Sequence, residues 1–491
     1  MGMLSKINHV VVLMLENRSF DNMFGRLYPK SDGFDGLSGT EACVGPDGVS
    51  IPVWNEPGTD EETMRIPNPD PGELWFDINT QIFGSAQPGT PLPDASMAGF
   101  AKNYANQTVP PSDPCVAKNI MHYFSPEQVP VISRLARQFA VCDRWHASAP
   151  CQTWPNRFFV HTGTANGFQN NDPIHFPYEM PTIFNRFEDL RIANGWKIYF
   201  HDMPQSLTLS RLWPHAENFR LYGEFRHDAK NGTLPAYSFI EPRYFADVAL
   251  PNDEHPPHVV TLGEQLIADV YNSLRGGPKW TETLFIITYD EHGGCYDHVP
   301  PPVAVPPSPT ATLPFNFDRY GVRVPAVVIS PYIQQGAVLR PPGKIPFDHT
   351  SIIATLRKRF SLGPQLSERD AVAPDLDVVL TLPNPSNLGP EHLDALPFLP
   401  TPADIARAQA RPLNDMQRAL VKLASHLPAT ETEGDFQSFI ATHIAAMRAD
   451  TEAFAGEAER WAQKADADLT SNDSVALIKT RLGILFRSLP S

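Results

Sequence analysis

The sequence predicts an α/β fold, with a mostly parallel central sheet sandwiched by helices and a helical carboxy-terminal region after it. Three observations predict this. Apolar runs of strand length recur at 10–15, 284–288 and 322–329, as in strands covered on both faces. Segments between and after them carry apolar residues at helical spacing. Two of the runs give way abruptly to oxygen-bearing side chains, which suits the carboxyl edge of an open α/β sheet, where ligands bind.

The first strand is 10–15, and Glu16, Asn17, Arg18 and Ser19 follow it directly. Residues 26–115, rich in Gly, Asp and Pro, read as an insertion packed over the sheet, with Trp75, Phe76, Ile82 and Phe83 as its anchors. A helix is expected to begin at Ser125-Pro126, with Gln128 at a capping-box position and Val129, Ile132, Leu135, Ala136 and Phe139 on one face. A short strand is expected at 139–143. Thr153 suits a helix N-cap, with Pro155 tolerated in the first turn. A hydroxyl there stands where free N–H groups and the helix dipole favour a phosphate. Cys151 is a rival nucleophile, but nothing nearby marks it as an activated thiolate. Strands are also expected at 196–200, followed by His201, and at 237–240, ended by Glu241; a helix is expected at 261–274.

The run 284–288 leads to Asp290, Glu291 and His292, then Gly293-Gly294, then Asp297-His298. Adjacent carboxylates are costly in a closed site unless a cation neutralises them. Pro325 marks the run 322–329 as a bulged or edge strand. Asp348 and His349 precede a helix of Ile352, Ile353, Leu356 and Phe360, and support it better than they serve chemistry.

A proline-rich linker through Pro402 closes a main domain, 1–400. The helical region 401–491 shows apolar faces at Met416, Leu420, Leu423 and Leu427, from Phe436 to Trp461, and at Val475, Ile478, Leu482 and Leu485. These helices suit packing on the main domain or an oligomer. At 491 residues the chain can bury a large core. The net charge of −16 argues against a nucleic-acid backbone as partner, and leaves room for transient contact with lipid. Five cysteines without CxxC spacing argue against zinc–thiolate sites. Neither a signal peptide nor a membrane span is visible, which leaves the cytoplasm, or export by a route not readable here.

Several motifs carry a resemblance. Glu16-Asn17-Arg18-Ser19-Phe20-Asp21 is similar to the ENRSFD signature of the phosphoesterase family of bacteria, fungi and plants, which comprises non-specific phospholipases C and related acid phosphatases. Thr153-Trp154-Pro155-Asn156-Arg157, Asp253-Glu254-His255-Pro256-Pro257, the stretch 288–299 and Asp348-His349-Thr350-Ser351 resemble the same family, in matching order over roughly 7–365. The family belongs to the alkaline-phosphatase-like superfamily. The resemblance implies a divalent metal (Ca, Zn, Mn or Mg) surrounded by Glu16, Asn17, Asp290 and Glu291, with Thr153 at the same ion as nucleophile. It implies His255 and His298 as proton donor and acceptor, and Asn17, His201 and His122 as phosphate contacts. The implied activity is that of a phospholipase C on phosphatidylcholine-like lipids through a phospho-threonine. The alternatives are a broad acid phosphatase and, more remotely, an inactive binding protein. Trp145, Trp154 and Tyr296 are read as packing first and as choline-binding aromatics second.

Overall fold

A computed structural model describes residues 2–89, 92–107, 114–172, 175–310, 315–425, 427 and 471–487. Its centre is an eight-stranded sheet. The chain's strands are β1 His9–Leu15, β2 Ala42–Val44, β3 Ser50–Pro52, β4 Ala140–Cys142, β5 Trp196–Phe200, β6 Phe219–Leu221, β7 Tyr237–Glu241, β8 Thr283–Tyr289, β9 Ala326–Ile329 and β10 Ala337–Leu339. The sheet runs β10-β4-β9-β8-β1-β7-β5-β6, and β2-β3 form a separate hairpin. Every neighbouring pair in the sheet is parallel except the two that β9 makes. Residues 10–15 are wholly buried, as a strand with helices on both faces requires.

Register decides where the site falls. Val10 pairs with Tyr237 and Leu13 with Ile240, while His9 pairs with Thr283 and Leu15 with Tyr289. The carboxyl ends of β1, β7 and β8 therefore lie side by side, and Glu16, Glu241 and Asp290 emerge together at one edge.

Pro325 does not make an edge strand. It has no N–H to give to a ladder, so β9 starts directly after it and runs antiparallel between β4 and β8. The helix expected from Ser125 spans Pro130–Gln138 instead. Gln128 does accept from the Ser125 N–H at 2.9 Å, but within a turn that its amide ties to the carbonyls of Glu56 and Gly58. The helix end is capped from outside by Glu264, which accepts from the N–H groups of Val131 (2.6 Å) and Ile132 (3.0 Å).

The insertion is more ordered than its composition suggests. Besides the hairpin it holds the helices Trp75–Phe83 and Phe100–Ala105, which share a small core of Leu37, Ile78, Ile82, Phe100 and Tyr104. Of the expected anchors Ile82 is buried, whereas Phe76 points outward, 50 % exposed.

The proline-rich linker is not free. It lies along the helix Val260–Arg275, where Tyr271 donates to the Pro390 carbonyl, Asn272 to that of Leu393 and Gln265 to those of Leu396 and Phe398. Beyond it come the helices Pro402–Gln409, Asp415–Ser425 and Ser471–Arg487. Met416, Leu420, Leu423, Ile478 and Leu482 are buried in the main core, so this apolar face is used within the chain. The expected face from Phe436 to Trp461 lies outside the described residues.

Candidate active site

The motif after β1 divides its work residue by residue. Asn17 takes a left-handed backbone, φ 57°, a conformation Asn tolerates better than most residues. This turns the chain so that the Asn17 N–H donates to Asp290 Oδ1 (2.9 Å) and its amide to Glu291 Oε1 (2.7 Å). Gly293, at φ 59°, makes the approach possible, since a Cβ there would stand 2.1 Å from the Asn17 carbonyl oxygen. Arg18 clamps two loops through the carbonyls of Glu254 (2.8 Å) and Ile66 (2.7 Å). Ser19 caps the short helix Phe20–Phe24 by accepting from Asn22.

Thr153 is the first residue of the helix Thr153–Thr162, and Gln152, not Thr153, is its N-cap. Asn156 pins the preceding turn, accepting from the Ala149 N–H and donating to the Cys151 carbonyl. The row of free N–H groups expected for a phosphate is shorter than the sequence suggests. That of Trp154 goes to Asn171 Oδ1 (2.7 Å), and Pro155 has none.

The Thr153 Oγ1 stands 3.5 Å from Glu16 Oε2 and 3.5 Å from Asn17 Oδ1. Both are long for O–H···O bonds. Oxygens that ligate one cation at about 2.0–2.5 Å stand about 3.0–3.5 Å apart. Glu16, Asn17, Thr153, Asp290 and Glu291 are all 0–1 % exposed. Asp290 Oδ2 is buried without a hydrogen-bond partner among the described residues. Burial pushes the Glu16 carboxyl well up, against Arg157 and further with Asp290; burial and then Asp290 do the same to Glu291. Carboxylates gathered out of water in this way fit a bound cation.

The supporting shell is clear. Arg157 contacts Glu16 Oε1 and lies 3.9 Å from Glu241 and 4.0 Å from Asp290. Gln205 also donates to Glu16 Oε1 (2.8 Å). Trp145 donates to His349 Nδ1 (3.3 Å), so Nε2 carries the proton and donates to the Asp290 carbonyl (2.6 Å). Asp348 accepts from the hydroxyls of Ser148 and Thr350. Burial pushes the Cys151 thiol up, away from thiolate chemistry.

The four histidines fall apart. His255 is fully buried, its Nδ1 2.7 Å from the Pro256 carbonyl and its Nε2 3.5 Å from Glu73 Oε1. Burial pushes it down to about 3, so it is neutral. His201 packs flat on Tyr222 and holds the Glu241 carbonyl. His122 lies edge-on between Trp54 and Phe124. No hydrogen bond among the described residues joins His201, His122 or His298 to Thr153. Trp145, Trp154 and Tyr296 pack on Phe347, Tyr178 and Phe100.

His298 belongs to a separate network. It bonds Asp21 (2.6 Å) and Asp35 (3.3 Å), beside Arg323, which bridges Asp21 and Asp297 at 3.0 Å each. Burial alone would lower its pKa; the two carboxylates outweigh that and hold it up at about 9. The protonated ring therefore stabilises the fold fully below about pH 6.5, and the gain disappears as pH rises through 9. His298→Gln is expected to cost about 2 kcal/mol at pH 6, after allowance for partial exposure, and far less at pH 9.5. Urea unfolding at the two pH values measures this, and an equal cost at both would contradict it.

Asp70 and Glu73 were not singled out by the sequence reading. They come from the insertion and meet His255. A cavity of about 810 Å³ opens beside them, lined by Arg65, Leu250, Val259, Leu262, Arg411 and Arg418 among others, and reaching Asp70 and Asn414. Asn414, from the carboxy-terminal region, lies 3.2 Å from His255 Nδ1.

A hydroxyl on a helix end lies beside buried strand-end carboxylates, and the relatives of this chain place it among hydrolases of phosphoric esters. The chain matches the model of the Phosphoesterase family over residues 7–363, and it belongs to that family. It is 40 % identical over 442 residues to Non-specific phospholipase C3 of Arabidopsis thaliana, covering 86 % of this chain and 83 % of that protein. It is 30 % identical over 460 residues to Phospholipase C A of Mycobacterium tuberculosis, covering 81 % and 83 %. Among solved structures it is similar to a protein in the alkaline phosphatase superfamily from Vibrio parahaemolyticus, with a TM-score of 0.30 and 11 % identity, over 50 % of this chain and 63 % of that one. No helix among the described residues is long and apolar enough to cross a membrane.

Proposed function

We propose that the protein is a metal-dependent phospholipase C that cleaves phosphatidylcholine-like lipids to diacylglycerol and a phosphorylated headgroup. The observation that carries this is the Thr153 hydroxyl, buried 3.5 Å from both Glu16 and Asn17, in a chain akin to proteins named phospholipases C over most of its length. The cavity beside Asp70, whose lining includes neither Thr153 nor the strand-end carboxylates, has room for a lipid as well as for a small phosphomonoester. Its size is that of a ligand site, and its wall mixes Leu250, Val259 and Leu262 with the arginines Arg65, Arg411 and Arg418. The arginines of that wall are paired with Glu62, Glu61 and Asp415, so the preference for a lipid rests on the relatives named phospholipases C.

Glu16, Asn17, Asp290 and Glu291, with Thr153, would hold a divalent cation, whose charge would favour the Thr153 alkoxide and offset that of the phosphoryl oxygens. The donors are all oxygens, which suits Mg²⁺, Mn²⁺ or Ca²⁺. Thr153 Oγ1 forms a bond to phosphorus while the ester bond to the glycerol oxygen breaks. That oxygen takes a proton and leaves as diacylglycerol. Water then displaces Thr153 and releases the phosphorylated headgroup. Arg157 and Gln205 hold Glu16 in place, and Asn156 and the helix start hold Thr153.

Steady-state assays test the reading. Phosphatidylcholine vesicles should yield diacylglycerol, with EDTA abolishing and Mn²⁺ restoring turnover. Release of inorganic phosphate from p-nitrophenyl phosphate, with the vesicles inert, would make the protein a phosphatase instead. No turnover of either substrate with any divalent metal would make it a binding protein.

A further inference from the structure

Two clusters outside the strand-end carboxylates bring a histidine together with two acids, and they differ in one respect. Around His298, the acids Asp21 and Asp297 are both bridged by the buried Arg323, so their charge is met. Around His255 the guanidinium groups of Arg18 and Arg418 act on Asp70 from nearby, but among the described residues neither forms an ion pair with Asp70 or Glu73. Asp70, Glu73 and His255 each place a ligand-type atom within 4.8 Å of the others, Asp70 Oδ1 lying 3.6 Å from Nδ1 of the ring and Glu73 Oε1 3.5 Å from Nε2. His255 and Glu73 are 0 % and 1 % exposed. Neither carboxylate oxygen of Glu73 has a hydrogen-bond partner among the described residues, and neither does His255 Nε2.

The tautomer sharpens this. The Pro256 carbonyl can only accept, and at 2.7 Å it fixes the ring proton on Nδ1. The longer contact, from the Asn414 amide at 3.2 Å, does not change that. Nε2 is left with a lone pair that faces Glu73 Oε1 at 3.5 Å. Two buried acceptors in this relation repel unless a cation, or a shared proton, lies between them. Glu73 also lies within electrostatic reach of Glu291 and Asp290, so further negative charge stands close by.

We propose that Asp70, Glu73 and Nε2 of His255 form a second divalent-cation site, for Zn²⁺ or Mn²⁺, alongside the one built on Glu16, Asp290 and Glu291. An imidazole nitrogen with two carboxylates is a donor set for these ions and a poor one for Ca²⁺. Three protein ligands leave coordination open, as in catalytic sites. Asp70 lines the cavity, so the open side is reached from there. The site deepens the proposed function and rests on it: a second cation beside the first suits a phosphate ester lying between them. It also gives His255 a ligand's role in place of the proton donor's.

Metal counting tests this without any activity assay. The full chain is stripped with EDTA, equilibrated with Zn²⁺ or with Mn²⁺, desalted and analysed by elemental mass spectrometry. Two equivalents are expected in the wild type and one in Glu73→Gln and in Asp70→Asn. Asp290→Asn should keep one, held at His255. Circular dichroism melts establish that the variants are folded. Should Glu73→Gln not fold, anomalous diffraction from wild-type crystals soaked in Zn²⁺ decides, with a peak expected within about 2.3 Å of His255 Nε2. One equivalent in the wild type, unchanged in both Glu73→Gln and Asp70→Asn, overturns the second site and leaves the first standing. A single wild-type equivalent that is absent from both Glu73→Gln and Asp290→Asn means one shared site and also overturns it. No metal in the wild type removes the first site as well.

Discussion

Thr153→Ala is expected to lower turnover of phosphatidylcholine by at least about 10⁴-fold, since a covalent mechanism has no substitute for its attacking atom. The variant should stay folded. Thr153 begins a helix and makes only two contacts through its hydroxyl, both 3.5 Å long, so its loss removes no well-formed hydrogen bond. The removed methyl and hydroxyl are worth about 1 kcal/mol of packing. Thr153→Ser keeps an oxygen at the same place and should retain part of the activity, which separates loss of the nucleophile from disturbance of the turn. Diacylglycerol release, with thermal melts of all three proteins, measures this. An alanine variant within tenfold of wild type would remove Thr153 from the mechanism.

The largest effect on stability is expected from Arg157→Met. The guanidinium is 3 % exposed, contacts Glu16 and lies within 4.0 Å of Glu241 and Asp290. Methionine fills much of the volume but leaves those carboxylates buried without their cation. Breaking a buried pair from one side costs about 3–5 kcal/mol. The cost should appear in urea unfolding of EDTA-treated protein, where no metal offsets Glu16. Adding Glu16→Gln to Arg157→Met should recover part of it, because the stranded charge is then gone. If the double variant is no more stable than the single one, the charge argument fails and the loss lies in packing.

How much of this was legible in the sequence follows from what each residue depends on. β1 and β8 were readable because a strand buried on both faces is an unbroken apolar run, and the residues after it mark the sheet edge. Glu16, Asn17, Asp290 and Glu291 come from such places, and parallel register alone brings them together. The short strands β6 and β10 carry only three residues each and gave no comparable signal. Asp70 and Glu73 sit in a Pro/Gly-rich loop with no periodicity, so nothing local says which way they face. The one trace was two acids within four residues of each other, in a loop otherwise built for turning. His298 shows how sequence proximity and spatial placement can part. It follows the Asp290-Glu291 pair closely in sequence, but the glycine turn carries it away to Asp21. The helix starts at Pro130 and Thr153 were displaced from their expected positions because side chains from elsewhere, Glu264 and Asn171, supply partners for their terminal N–H groups.

β1 lies in the middle of the sheet, between strands made far from it along the chain. β1 must wait for Tyr237 on one side and Thr283 on the other, and Asn414 reaches His255 later still. A nascent chain therefore carries Glu16, Asn17 and Thr153 long before Asp290 and Glu291 can join them. The strand-end cluster is complete only once these distant segments have come together.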